Sequence, residues 1–305
     1  MKHLKHISCS RWPRGTLGIS PPDVIKWLDR HTWRRRKGGN WTLNPQTGLI
    51  DINGDFICDK RANGYRLDKL PVAFGVVSGD FDISDHGMTS LEGCPREVGG
   101  HFDCELNSLT SLKGAPQKVG GDFKCGARWT NDTGQRLPSL KGAPQEVGGN
   151  FLCQYSRLTS LKGAPRRVGG SFTCNVNDLE SLEGAPQEVG GSFFCYRNKL
   201  RSLRGAPQTL NPYTTFHCEE NPLESIEGAP EGNYRFICDA FDCASFDIVG
   251  KLKLLTSEPP DHRQYIPIRV HDEELTKKLV LPLIAPERLD GYIKANPLDM
   301  DMLDE

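Results

Sequence analysis

The stretch 139–153, SLKGAPQEVGGNFLC, is followed by two near copies of itself, SLKGAPRRVGGSFTC at 160–174 and SLEGAPQEVGGSFFC at 181–195. Aligning the chain on the final cysteine gives a column with successive spacings of 21, 28, 21, 21, 23 and 20 residues. The column contains Cys104, Cys125, Cys153, Cys174, Cys195, Cys218 and Cys238. A unit this short cannot bury its apolar face alone and must stack on its neighbours, which predicts a solenoid.

The shared template reads V-G-G-x-F-x-C-x-x-N-x-L-x-S-L-x-G-A-P. Phe and Cys alternate in it, as expected for one buried face of a short strand. Gly-Ala-Pro predicts a turn, and the paired glycines predict a close approach of backbone before each strand. We therefore predict one strand per unit and about nine parallel strands in all. The phenylalanines of the column are Phe56, Phe81, Phe102, Phe123, Phe151, Phe172, Phe193, Phe216 and Phe236.

The asparagine of the template is not present in every unit. It occurs at Asn107, Asn177, Asn198 and Asn221. Other residues take its place at His86, Ser156 and Phe241. We expect a hydrogen-bonded asparagine ladder to be interrupted at these three positions.

The pattern F-x-C-x-x-N-x-L resembles the L-x-L-x-x-N-x-L of leucine-rich repeats, and the short unit with a proline is similar to the small bacterial class of that family. The recurring motif GAP…VGG also resembles that of repeat proteins that are common in bacteriophage genomes. The resemblance covers roughly residues 50–240. It implies a solenoid of short parallel strands of about 21 residues per unit, with the strands on a concave face.

The cysteines admit a chemical and a structural interpretation. Ile83 occupies a slot of the cysteine column and can pack but cannot ligate a metal. The chain has 11 cysteines, an odd number, and the one close pair is Cys238 and Cys243. Structural zinc sites use about four converging ligands, usually in paired close spacings. We therefore interpret the column as buried thiols and expect no metal and no other cofactor.

Composition excludes little, but charge is unevenly distributed. The net charge is -1, and there is no apolar run long enough for a membrane span and no secretory signal, so we expect a cytoplasmic protein. Residues 1–37 contain ten Lys/Arg and two Asp, including the basic run Arg34, Arg35, Arg36 and Lys37. This run could contact nucleic acid, or it could be the solvated end of a helix.

The composition shifts divide the chain into three parts: a basic segment with a capping helix (1–48), the solenoid (49–243), and a C-terminal cap with an acidic tail (244–305). Residues 20–33 are predicted to be helical, with Val24, Ile25, Leu28 and His31 on one face. Further helices are predicted at 271–284 and 286–296. The two ends thus predict helical caps on the solenoid.

Residues flanking Phe and Cys should point outward and form the binding face. Early units place acidic residues there: Asp55, Asp59, Asp80, Asp82, Asp103, Glu105 and Asp122. Later units place Leu152, Gln154, Thr173, Asn175, Phe194, Tyr196, His217, Arg235 and Ile237 there. The candidate contact residues are Leu152, Thr173, Phe194, Tyr196 and His217, together with the nearby Tyr155. The insertion at 126–136 adds Arg128 and Trp129. Aromatic and arginine side chains are enriched in interfaces, whereas plain solvation would explain the acidic positions equally well.

These observations favour a non-catalytic protein-binding scaffold that acts through the concave face and the 126–136 loop. The resemblance suggests a phage factor that binds and modulates a host protein, for example a defence component. Two alternatives stay open: a nucleic-acid-associated protein using the basic N-terminus, and a small enzyme with a site in 240–305. His217 precedes Cys218, but side chains of neighbouring strand residues face opposite ways, so this pair does not predict catalysis.

Overall fold

The computed structural model describes residues 21–32, 40–58, 66–127, 136–230, 234–239, 241–243 and 268–270. These residues form a parallel β-solenoid in which each regular coil contributes two strands, not the single strand predicted. The first strand of a coil ends on the valine of V-G-G and the second begins with the phenylalanine. We call the two resulting sheets the Val sheet and the Phe sheet. The 126–136 loop lies largely outside the described residues, and the helices predicted at 271–284 and 286–296 lie wholly outside them.

The Val sheet has eight strands. They are β1 (Asn40–Leu43), β2 (Ile50–Asn53), β4 (Phe74–Val77), β6 (Glu97–Val98), β8 (Lys118–Val119), β10 (Glu146–Val147), β12 (Arg167–Val168) and β14 (Glu188–Val189). Strands β1 and β2 pair antiparallel, and the others follow in parallel.

The Phe sheet has eleven strands. They are β3 (Phe56–Ile57), β5 (Phe81–Asp82), β7 (Phe102–Asp103), β9 (Phe123–Lys124), β11 (Phe151–Leu152), β13 (Phe172–Thr173), β15 (Phe193–Phe194), β16 (Thr215–His217), β17 (Arg235–Ile237), β18 (Phe241–Cys243) and β19 (Ile268–Val270). The nine strands β3 to β17 of this sheet run parallel, which confirms the predicted strand column. Strands β18 and β19 continue the sheet antiparallel.

The core consists of columns of equivalent residues stacked from coil to coil. Successive rings of the phenylalanine column stack with centroids 4.9–5.7 Å apart and interplanar angles of 0–23°. The cysteine column is buried beside it, at 0–1% exposure, with Ile83 in the slot that lacks a thiol. Cys58, which fills the same slot in the first coil, and the seven cysteines of the column are present as thiols and not as disulfides. The structural interpretation of the cysteines is confirmed: they fill the core.

The paired glycines lie where consecutive coils come closest. A Cβ atom placed on Gly148 would lie 2.1 Å from the carbonyl oxygen of Gly120, and one on Gly169 would lie 2.1 Å from that of Gly148. Any larger residue would push the coils apart at this corner. The predicted close approach is therefore confirmed, and it joins the Val sheet to the Phe sheet.

The asparagines of the template bond to backbone groups of two coils. Nδ2 of Asn198 donates to the carbonyl oxygens of Cys174 and Cys195 at 3.1 and 2.9 Å, while Oδ1 accepts from the Leu179 amide at 3.1 Å. Asn107, Asn177 and Asn221 make equivalent bonds. The side chain thereby satisfies backbone groups that the turn leaves without ladder partners.

The ladder is not interrupted where asparagine is missing, contrary to the sequence-based expectation. Nε2 of His86 donates to the Cys58 carbonyl at 2.8 Å, and Nδ1 accepts from the Leu67 amide at 3.3 Å. The hydroxyl of Ser156 donates to the Cys125 carbonyl at 3.4 Å, a long bond. Histidine and serine therefore supply the donor that asparagine supplies elsewhere. Phe241 lies in antiparallel β18, where the coil geometry has already ended.

Helix α1 (Pro21–Thr32) lies over the segment predicted to be helical. Val24, Leu28 and His31 are buried, and Ile25 is half-buried. The Trp27 ring lies 5.3 Å from that of Phe56, the first ring of the stack. The residues of α1 thus contact the first coil of the Phe sheet.

The bonds of the asparagine ladder can be tested by truncation. We expect Asn198→Ala to lower the free energy of unfolding by ~2–4 kcal/mol, because it leaves several buried backbone groups without partners. Asn211 is the matched control, since it is exposed and makes one bond, from Nδ2 to the Gly190 carbonyl. Equilibrium urea unfolding measures both variants. Equal losses for the two would contradict the structural role of the ladder.

Candidate functional site

The outward face of the Phe sheet carries two rows of variable residues. The Phe+1 row consists of the residues that follow the phenylalanines from Phe81 to Phe216: Asp82, Asp103, Lys124, Leu152, Thr173, Phe194 and His217. The Cys+1 row consists of the residues that follow each cysteine-column residue: Ser84, Glu105, Gly126, Gln154, Asn175, Tyr196 and Glu219. Because side chains alternate along a strand, both rows lie opposite the buried Phe and Cys columns. The face therefore differs from coil to coil while the core stays constant.

The late coils bring most of the predicted contact residues together. Leu152, Thr173 and Phe194 lie on consecutive strands of the Phe+1 row and are half-buried. The His217 ring lies 6.0 Å from that of Phe194 and 4.9 Å from that of Tyr196. These residues form a continuous aromatic and apolar surface, which we call the aromatic patch.

Polar groups border the aromatic patch. His217 Nε2 lies 2.8 Å from Glu219 Oε2, and the side chain of His217 is 25% exposed. Desolvation by burial, followed by the effect of Tyr155, raises the pKa of Tyr196. Tyr155 has a left-handed backbone (φ 56°), as do Val176 and Arg197 at the same position of later coils. This conformation belongs to the coil and is not peculiar to the patch.

The early coils differ from the solvated acidic strip that the sequence suggested. Asp103 and Glu105 are buried, at 7% and 3% exposure. Burial, together with Asp82 and Glu105, raises the pKa of Asp103 to about 6. Lys124 partly offsets this through an ion pair in which its Nζ lies 3.5 Å from Asp103 Oδ2. Burial of a carboxylate among other carboxylates is unfavourable, so this arrangement is not explained by solubility.

Three of the acidic residues assigned to the face have a structural role instead. Oδ1 of Asp55 accepts the backbone N–H of Asp80 at 2.9 Å, and Oδ1 of Asp80 accepts that of His101 at 2.8 Å. Oδ1 of Asp122 likewise accepts the N–H of Asn150 at 2.7 Å. The series continues through Asn150, Ser171 and Ser192. These residues form a second ladder, in which a side-chain oxygen of each coil accepts a backbone N–H of the next coil. The role requires an acceptor oxygen and not a negative charge, since asparagine and serine also fill it.

The cysteine column offers little reactivity. Burial raises the pKa of the Cys104, Cys125, Cys153, Cys195 and Cys218 thiols well above the ordinary value. The thiolate is the nucleophilic form, so its suppression leaves these groups as packing elements. In the described part of the chain, no group of three or more His, Cys, Asp or Glu residues is arranged to hold a metal ion.

The remaining predicted site residues lie outside the described residues. They are Arg128, Trp129 and the basic run Arg34, Arg35, Arg36 and Lys37; Asp59 also lies there. Gln154 and Asn175, which the sequence also predicts on the outward face, adjoin the aromatic patch. Each is an amide in an outward row beside aromatic residues, and the burial of their side-chain oxygens is visible only in the structure.

Comparisons with protein-family models, with curated proteins and with solved structures found no match to this chain. The structure itself defines the class of protein: a parallel β-solenoid with a repeat of about 21 residues. Among the described residues there is no helix long and apolar enough to cross a membrane.

The burial of Asp103 predicts a pH-dependent stability. Its pKa is raised in the folded state, so ionisation destabilises the fold above pH ~6, and protonation relieves this as the pH falls towards 4. We expect Asp103→Asn to be more stable than wild type by ~1–3 kcal/mol at neutral pH, and the difference to shrink between pH ~6 and ~4. Urea unfolding across this range measures the difference.

Lys124→Met serves as the comparison, because the ammonium lowers the pKa of Asp103. Its removal should move the titration of Asp103 to higher pH. A stability difference between Asp103→Asn and wild type that is independent of pH would contradict the account.

Proposed function

We propose that the protein is a non-catalytic protein-binding scaffold that engages its partner through the aromatic patch and the 126–136 loop. The observation that supports this most directly is the continuity of Leu152, Phe194, Tyr196 and His217 across neighbouring strands of a rigid sheet. Aromatic side chains on a fixed backbone provide contact area at small entropic cost, and they dominate binding energy in many interfaces.

Elsewhere on the late coils, charged side chains pair with one another, and this distinguishes them from the aromatic patch. Ion pairs link neighbouring coils between Arg201 and Glu224, Arg204 and Glu227, and Lys199 and Asp178. These pairs are exposed and are typical of a solvated edge. Leu152 and Phe194 of the aromatic patch are apolar and cannot form ion pairs of this kind. Covering them with a partner removes apolar area from water.

The carboxylates beside the patch favour protein over nucleic acid as the partner. Asp103, Glu105 and Glu219 lie on the same face, whereas phosphate recognition depends on lysine and arginine. The nucleic-acid hypothesis concerns a different part of the chain, the basic residues 34–37. The patch itself is suited to a protein surface.

The finer assignments belong to the same proposal. The template's resemblance to leucine-rich repeats and to phage repeat proteins supports a leucine-rich-repeat-like class and a host protein, such as a defence component, as the partner in the cytoplasm. The contact of Trp27 with Phe56 supports a capping role for α1, since open solenoids need their first coil covered. Fold analogy alone would not define the function, and the aromatic patch is the feature to test.

The proposal predicts that charge on the patch abolishes partner capture. We expect Phe194→Asp to lose the specific partners that wild type retains from a bacterial lysate, because it places a carboxylate in the centre of the apolar contact. Val76→Asp is the matched control, as Val76 is an exposed apolar residue (39%) of the Val sheet. Trp129→Ala tests the loop in the same way.

Affinity capture with quantitative mass spectrometry measures the three variants against wild type. Circular dichroism must first show that each variant keeps the fold. The proposal fails if every specific partner is retained equally by Phe194→Asp and Val76→Asp.

A further inference from the structure

Two carbonyl oxygens on the outward face are buried without a hydrogen bond. They are Oε1 of Gln154 and Oδ1 of Asn175, and neither has a partner among the described residues. Asn175 is only 3% exposed. Buried polar atoms in native proteins are almost always paired, because leaving one unpaired is costly. Two such atoms on neighbouring coils of one row therefore call for an explanation.

The hydrogen bonds around each amide determine which atom is left over. Nε2 of Gln154 lies 3.5 Å from Glu105 Oε1, a long contact that only the NH₂ group can make favourably. Asn175 precedes Tyr196 in the Cys+1 row, and its Oδ1 is the side-chain atom that lies buried without a partner among the described residues. In both residues the amide oxygen is the atom that has no partner among the described residues.

The surroundings specify the chemistry of a missing donor. Gln154 and Asn175 follow strands β11 and β13, which pair in parallel and lie ~4.8 Å apart, so the two acceptors can face one branched donor. Tyr196 provides an aromatic ring beside them in the same row. Across the two rows, from Asp82 to Glu219, the described residues contribute four carboxylates and one lysine ammonium. A cationic donor fits this charge, whereas a phosphate or carboxylate would face acceptors and like charge.

We propose that Gln154, Asn175 and Tyr196 form a receptor site for an arginine side chain of the protein partner. This inference rests on the proposed function and names the chemistry of its contact. The planar guanidinium presents several N–H donors in a fixed fork, carries a permanent charge and stacks on aromatic rings. A lysine ammonium lacks the flat face, and an apolar side chain would leave both oxygens unpaired.

The entry of the guanidinium requires side-chain movement. Both oxygens are buried, so a guanidinium reaches them only if side chains of the face, such as the half-buried Tyr196, change rotamer. Changes of rotamer at an interface are common when partners bind, even where the backbone stays fixed. The backbone of the coils can therefore remain as it is while the site opens.

The full chain can be titrated with Nα-acetyl-L-arginine amide and with Nα-acetyl-L-citrulline amide by calorimetry. Citrulline replaces the guanidinium by a neutral urea group of nearly the same shape. We expect wild type to bind the arginine compound at least about tenfold more tightly than the citrulline compound. Gln154→Leu and Asn175→Leu should each weaken arginine binding by about tenfold. Gln187→Leu, the same change at an exposed glutamine, should have no effect.

Thermal unfolding of the unliganded variants separates a binding role from a structural one. If Oδ1 of Asn175 is unpaired, Asn175→Leu keeps or raises the melting temperature while binding is lost. A lower melting temperature together with lost binding assigns a structural role to the amide and overturns the proposal. Equal affinity of wild type for the two compounds also overturns it, and an ordered water would then be the occupant of the site.

The outcome is independent of the capture experiment. Arginine binding that depends on Asn175, together with capture that is insensitive to Phe194→Asp, would uphold the site and refute the scaffold function. If instead Phe194→Asp abolishes capture and the protein does not bind the arginine compound, the patch binds a protein partner without an arginine contact, and the proposed arginine site is refuted.

Discussion

The structure depends on the direct contact of each residue with the equivalent residue of the next coil. Rings of the phenylalanine column stack at 4.9–5.7 Å, and the glycine corner brings backbone against backbone. A side chain in such a column must suit the same side chain above and below it. This constraint explains why the template residues recur almost unchanged from one unit to the next. A change at one level would have to be accommodated at two interfaces.

The constraint acts only on inward columns and corners, so the outward rows are free to vary. The chain uses that freedom unevenly. Early coils bury Asp103, whose pKa is raised to about 6, and later coils carry the aromatic patch. Such residues do not stabilise the fold, and Gln154 and Asn175 leave acceptors unpaired. Proteins keep unfavourable groups where binding requires them. A rigid stack can carry such groups because its stability is supplied by the columns behind them.

Much of the fold could be predicted because periodicity reveals columns directly. The Phe and Cys columns, the parallel strands and the role of Gly-Gly all followed from the repeated template. The Val sheet was not predicted, because its strands from β6 to β14 span two residues each and only the valine of each is buried, so no alternation like that of Phe and Cys reveals them. His86 and Ser156 break the asparagine pattern of the sequence, but each side chain donates a hydrogen bond to the backbone carbonyl of the preceding coil. The residue types of the site were visible in the sequence, but burial of Asp103 and the unpaired oxygens arise from packing across several coils.

The most direct measurement of the stacking account is a pair of double-mutant cycles on the phenylalanine column. Phe151 and Phe172 are neighbours, with centroids 5.4 Å apart, whereas Phe123 and Phe193 are separated by two intervening rings. With Phe→Leu changes, the free energies of unfolding should show a coupling of ~0.5–1.5 kcal/mol for the neighbours and roughly none for the distant pair. Equal coupling in the two cycles, or none between Phe151 and Phe172, would contradict the account.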